Sequence, residues 1–146
     1  MAEALLREEL KLKRLERKVL LDSAGTNASQ PGHPADGRAV QVCAREGIDL
    51  RKSRARQIEQ RDFRDFNYIV AMDSSNRDWL LEHAPAEFRD RISLMGEWSS
   101  SSDVGDIPDP YYGSFIGFEE VLALLHEAVE GFLPRLLQDL GQADKP

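Results

Sequence analysis

The residues best placed to do chemistry are few. Asp109 stands between Pro108 and Pro110. A proline on either side restricts the backbone, so this carboxyl is held in place. Two tyrosines follow at once, Tyr111 and Tyr112. A plain Pro-Asp-Pro turn would have the same local form, and aromatic pairs are common in cores and interfaces. Ser23 and Asp73 each follow a short apolar run, at Val19-Leu20-Leu21 and Tyr68-Ile69-Val70-Ala71-Met72. A turn serine and a helix N-cap account for them equally well.

Other reactive side chains offer less. Cys43 is the only cysteine, so no intrachain disulfide forms. It shares a helical face with Ala39 and Val40, which predicts a buried, inert thiol. His33, His83 and His126 lie far apart and show no metal-ligand spacing. No cofactor or metal is expected.

The 146 residues fit one domain with a sizeable core, and 41% are hydrophobic. No apolar run approaches the roughly 20 residues that span a bilayer. Glu3, Arg7, Glu8 and Glu9 break any signal-peptide or transit-peptide pattern, so a cytoplasmic protein is expected. The formal net charge is −7, against a nucleic-acid partner. The one basic cluster, Lys11, Lys13, Arg14, Arg17 and Lys18, reads as cations complementing a helix C-terminus.

Elements that would position these residues alternate between helix and strand. Ala2 to about Leu12 predicts a helix and Val19 to Leu21 a buried strand. A Pro/Gly loop follows, then a helix from Gly37 to Glu46 capped by Asp36 and ended by Gly47. Arg51 to Arg61 is polar, with room for a short helix. Tyr68 to Met72 predicts a second strand. A helix capped by Asp73 or Ser74 follows, through His83. Ile92 to Met95 predicts a third strand, and Glu97 to Gly113 a long loop. A final helix carries the stripe Phe118, Val121, Leu122, Leu125, Val129, Phe132, Leu133 and Leu136, with Pro134 expected to kink it. Short strands apolar on both faces imply a parallel sheet between helices, an α/β fold.

Three stretches resemble the low-molecular-weight protein tyrosine phosphatase family. They are Asp22-Ser23-Ala24-Gly25-Thr26, with Gly32, Pro34-Ala35-Asp36 and Arg38-Ala39 downstream; Ala71-Met72-Asp73-Ser74-Ser75-Asn76; and Asp106-Ile107-Pro108-Asp109-Pro110-Tyr111-Tyr112-Gly113, followed by Phe118-Glu119. The resemblance implies a flavodoxin-like three-layer sandwich around a short parallel sheet of order 2-1-3-4. It implies hydrolysis of phosphomonoesters, phosphotyrosine among them, through a phosphocysteine. Asp109 is then the general acid, Tyr111 and Tyr112 bind substrate at the cleft mouth, and Ser23 and Asp73 support the phosphate loop. The implied partner is a phosphorylated protein or a small aryl phosphate, with no nucleic acid and no membrane.

The sequence departs from the family pattern where the nucleophile is concerned. The family's Cys-x5-Arg-Ser/Thr-Pro loop comes directly before the residues that resemble Met1-Ala2-Glu3-Ala4-Leu5. Cys43 does not replace it, because Asp49 stands six residues on where the motif has arginine. The expectation is one phosphatase-like domain over residues 1–146, truncated at its N-terminus, without its central first strand, and catalytically inactive by itself. Ser29 and Ser53 stand where the family carries an aromatic and often a histidine, which weakens the case for phosphotyrosine preference. Gly37 stands where proline is common. The alternatives are a non-catalytic pseudophosphatase or binding module and, against the single cysteine, a relative from the arsenate-reductase branch.

Overall fold

The computed structural model describes residues 1–101, 104–112 and 115–143, and for Tyr112, Phe115, Ile116, Gln142 and Ala143 the backbone alone. Five helices are described: α1 (Ala2–Leu12), α2 (Gly37–Ala44), α3 (Gln60–Asp65), α4 (Ser74–His83) and α5 (Phe115–Ala143). Two strands, β1 (Ile69–Ala71) and β2 (Ile92–Leu94), pair in parallel. Short 3₁₀ turns cover Ala86–Arg91, Met95–Trp98 and Pro110–Tyr112.

The caps follow local chemistry. The Asp36 carboxylate accepts from the Arg38 N–H at the start of α2, and the Asp73 carboxylate from Asn76 N–H at the start of α4. Each satisfies an amide the first helical turn leaves unpaired. Gly47 takes a left-handed φ of 77° just past α2, where a side chain would be strained.

The sheet divides the core by its two-residue period. Ile69, Ala71, Ile92 and Leu94 pack with Phe63 and Leu80 toward α3 and α4. Val70 points the other way, to the larger cluster formed by α1, α2 and α5. In α5 all eight residues of the expected stripe are buried, from Phe118 to Leu136. Each contributes on the order of 1.5–3 kcal/mol by burial. The helix assignment continues through Pro134.

One expected strand is absent. Val19 to Leu21 is extended, with Val19 and Leu21 packed on the core and Leu20 75% exposed, yet it joins no ladder. The Arg7 guanidinium donates to the Leu21 carbonyl at 3.2 Å, and the segment joins the body of the fold at Gly25, through Gly25 N–H to Arg56 O and Ile58 N–H to Gly25 O. The reason is geometric. A strand needs a neighbour about 4.8 Å away. A groove of about 1370 Å³ instead runs between this segment and β1, lined by Leu6, Val70, Val121, Leu125, Val129 and Phe132 among others. Arg51 to Arg61 is likewise mostly turn and extended chain, with α3 starting only at Gln60.

Candidate active site

Three of the five expected site residues share one surface. Ser23, Asp73 and Asp109 all line the groove between β1 and the extended segment. Asp73 arrives at the C-terminal end of β1, where a parallel α/β sheet characteristically gathers its ligands. Its carboxylate serves as the α4 cap, accepting from Asn76 N–H at 2.7 Å. Ser23 is exposed, and its backbone N–H donates to the Asp22 carboxylate at 2.8 Å. Asn76 in turn donates from its side-chain amide to the Thr26 hydroxyl at 3.2 Å, joining the turn after β1 to the turn after the extended segment.

Asp109 reaches the groove because its loop is pinned on both flanks. Before it, Ile107 is 4% exposed and donates its N–H to the Met72 carbonyl at 2.7 Å. Asp106 accepts from both the backbone N–H and the hydroxyl of Ser74, at 2.9 and 2.7 Å. After it, the Arg38 guanidinium donates to the Tyr111 carbonyl at 2.5 Å. Arg38 is itself held by a two-point contact with Asp36, at 3.1 and 3.0 Å, and lies over the Phe118 ring. The side-chain hydrogen bond from Arg38 holds the Asp36 carboxyl below its usual range. Between these anchors the Asp109 carboxylate is exposed and accepts from the Tyr111 N–H at 2.9 Å.

The two tyrosines follow directly on Asp109-Pro110. Tyr111 is 56% exposed and outside the groove lining, at the rim. The Tyr112 side chain lies outside the described residues. Cys43 is fully buried, and burial pushes its thiol pKa up, so it is kept neutral and away from solvent. Among the described residues no group of three His, Cys, Asp or Glu side chains could hold a metal ion.

Sequence reasoning missed the anchors. Asp106 and Arg38 were legible only as members of the family-like stretches. Nothing in their spacing reveals that Arg38 reaches Tyr111, 73 positions away. The one local signal was Asp106-Ile107-Pro108, where a buried isoleucine between an acid and a proline marks a tethered turn.

Comparison with known proteins decides the family. A sequence model described as low molecular weight phosphotyrosine protein phosphatase matches residues 1–143. The chain belongs to this family. A low-molecular-weight protein-tyrosine-phosphatase of Bacillus subtilis is 35% identical over 139 residues, covering 95% of this chain and 88% of that protein. The low molecular weight phosphotyrosine protein phosphatase of Schizosaccharomyces pombe is 37% identical over 134 residues, covering 91% and 85%. Among solved structures, a protein tyrosine phosphatase from Entamoeba histolytica with Hepes in its active site superposes with a TM-score of 0.90. It is 33% identical and the match covers 94% of this chain and 88% of that one. With the parallel β1–β2 pair and its flanking helices, these similarities establish a flavodoxin-like α/β fold. No helix of the described residues is long and apolar enough to cross a membrane.

Proposed function

We propose that residues 1–146 form one phosphatase domain whose Asp109 is the general acid for hydrolysis of aryl phosphomonoesters, phosphotyrosine in a protein among them. The observation that carries this reading is the double anchoring of the Asp109 loop over the groove. A proton donor must be held within hydrogen-bond reach of the leaving oxygen. Prolines on both sides and fixed points at Ile107 and Tyr111 supply that restraint. The exposed Tyr111 stands where an aryl ring would enter.

In the family reaction a cysteine thiolate attacks phosphorus, the bond to the phenol oxygen breaks, and the acid protonates that oxygen. Water then attacks the phosphocysteine and releases phosphate. Ser23, after the extended segment, and Asp73, after β1, would brace the loop that carries the thiolate. Among these 146 residues Cys43 is buried and has no arginine six residues on. The 146-residue chain alone is therefore proposed to be inactive, its acid having no attack to follow. A second reading is a non-catalytic relative that binds a partner through the same groove, whose lining includes Leu6, Val70, Val121 and Phe132.

The test uses p-nitrophenyl phosphate and vanadate. The bare chain should show no turnover above a heat-killed control and no vanadate binding. Joined to a segment bearing Cys-x5-Arg-Ser-Pro, it should gain both. With the cysteine of that segment replaced by serine, it should gain oxyanion binding alone. Turnover by the bare chain that Asp109→Ala removes would overturn the inactive assignment. A joined protein that binds no oxyanion would favour the non-catalytic reading.

A further inference from the structure

The end of α1 carries a surface that, apart from Lys18 at the groove edge, the site does not use. Residues 11–18 include five cations, Lys11, Lys13, Arg14, Arg17 and Lys18, against one acid, Glu16, in a chain of net charge −7. All six are exposed. Helix-dipole complementarity acts only within the last turn. It accounts for Lys11 and Lys13, not for Arg17 and Lys18. Lys11 pairs with Glu8 at 3.3 Å, whereas the side chains of Lys13, Arg14 and Arg17 make no hydrogen bond or ion pair among the described residues.

The surface is rigid and has an apolar centre. Leu10 is 1% exposed, Leu15 packs on the core, and Leu15 N–H donates to Leu10 O at 2.8 Å. Lys18 N–H closes the next turn on Leu15 O at 2.9 Å. Leu12, between Lys11 and Lys13, is 80% exposed, more than any other large hydrophobic among the described residues. Arg14 has a φ of 58°. That left-handed position past a helix end favours glycine or asparagine. A long cationic side chain therefore stands where the backbone favours glycine or asparagine, and no side-chain contact among the described residues offsets the strain.

We propose that residues 11–18 form a docking surface for an acidic polypeptide segment carrying an apolar side chain that meets Leu12. Charge complementarity selects the partner. The rest of the chain is more acidic than its overall −7. An anionic bilayer would face that whole acidic body with an extended plane of like charge, while an acidic peptide touches the cationic knob alone. Screening over about 8 Å at physiological salt keeps the knob's field local.

The experiment titrates the 146-residue chain into a fluorescent peptide of alternating Glu-Glu-Leu, about 12 residues long, and reads anisotropy. Binding should weaken at least tenfold between low and physiological salt, and a Gln-Gln-Leu peptide should not bind. Replacing Lys13, Arg14 and Arg17 together by glutamine should weaken binding about 3- to 100-fold, from the range measured for exposed ion pairs. Arg14→Gly separates charge from structure: it should raise the melting temperature by about 2–5 °C by relieving the left-handed backbone, while binding falls. Equal binding by the triple variant, equal binding of the glutamine peptide, or flotation with phosphatidylserine vesicles at peptide-inactive conditions would each overturn the proposal.

Discussion

Removing the Asp62 carboxylate should cost more stability than any other single charge deletion near the site. Asp62 is 6% exposed and is the only buried charged residue among those described. Its two oxygens accept from both terminal nitrogens of Arg56, at 2.9 and 3.3 Å, and one also accepts from Glu59 N–H at 2.8 Å. The second contact closes the capping box that starts α3. The same Arg56 reaches Asp22 at 3.1 Å, so this cluster ties the Ser23 turn to α3. Breaking a fully buried pair costs about 3–5 kcal/mol. Arg56 is 30% exposed and regains water and Asp22, which lowers the electrostatic part to about 1–2 kcal/mol. Loss of the cap adds about 1 kcal/mol. Asp62→Ala should therefore destabilise by about 2–3 kcal/mol, and Asp62→Asn, which keeps the Glu59 contact, by about 1–2 kcal/mol. Urea unfolding followed by tryptophan fluorescence from Trp79 and Trp98 measures both. At a typical urea slope of about 1–3 kcal/mol per molar the midpoint of the alanine variant falls by about 0.7–3 M. A loss below about 0.5 kcal/mol for Asp62→Ala, with unchanged slope, would refute the reasoning.

Acid should remove the same contribution. Burial pushes the Asp62 carboxyl up, but Arg56 and the Glu59 N–H push it down further, leaving it below the ordinary value; a depressed folded pKa gives stability that is full above about pH 4 and lost as pH falls through the folded value. Stability measured from pH 5 to pH 2 should therefore fall less steeply in Asp62→Asn than in the parent. Gly131→Ala should destabilise by about 1–2 kcal/mol in the same urea assay, because its added Cβ would overlap the Trp98 carbonyl oxygen, a cost of about 1–3 kcal/mol that exceeds the gain of up to about 1 kcal/mol in helix propensity; a stabilised variant would mean that α5 does not abut the Met95–Trp98 turn. The open groove should bind an apolar dye such as anilinonaphthalene sulfonate and enhance its fluorescence; no enhancement would mean that the groove is closed in solution.

Most of the helices were legible because their caps and periodicities are local. Asp36, Gly47 and Asp73 each act on amides or carbonyls within four residues, and the α5 stripe repeats at helical spacing. The parallel sheet was legible from Tyr68-Ile69-Val70-Ala71-Met72 and Ile92-Ser93-Leu94, apolar runs too short for helices. The run Val19-Leu20-Leu21 misled for a physical reason. Its composition specifies extended backbone and inward Val19 and Leu21, but pairing depends on a neighbour that composition does not encode. At the site, Asp109 and its prolines were readable as a held carboxyl. The groove that gathers it with Ser23 and Asp73, and the Arg38 and Asp106 anchors, depend on contacts made across the fold. The role of acid came from the family resemblance, which the match over residues 1–143 supports.

The most direct test of the account is the leaving-group dependence of Asp109→Asn in the chain joined to a segment bearing Cys-x5-Arg-Ser-Pro. A general acid contributes where the departing oxygen needs a proton. With phenyl phosphate or a phosphotyrosine peptide, kcat should fall by roughly 10²–10³. With a strongly acidic leaving group such as dinitrophenol the loss should shrink toward nothing. Vanadate affinity, which reports the phosphate loop rather than the acid, should hold. An equal loss across all leaving groups, or no loss with phenyl phosphate, would contradict the assignment of Asp109 as the proton donor.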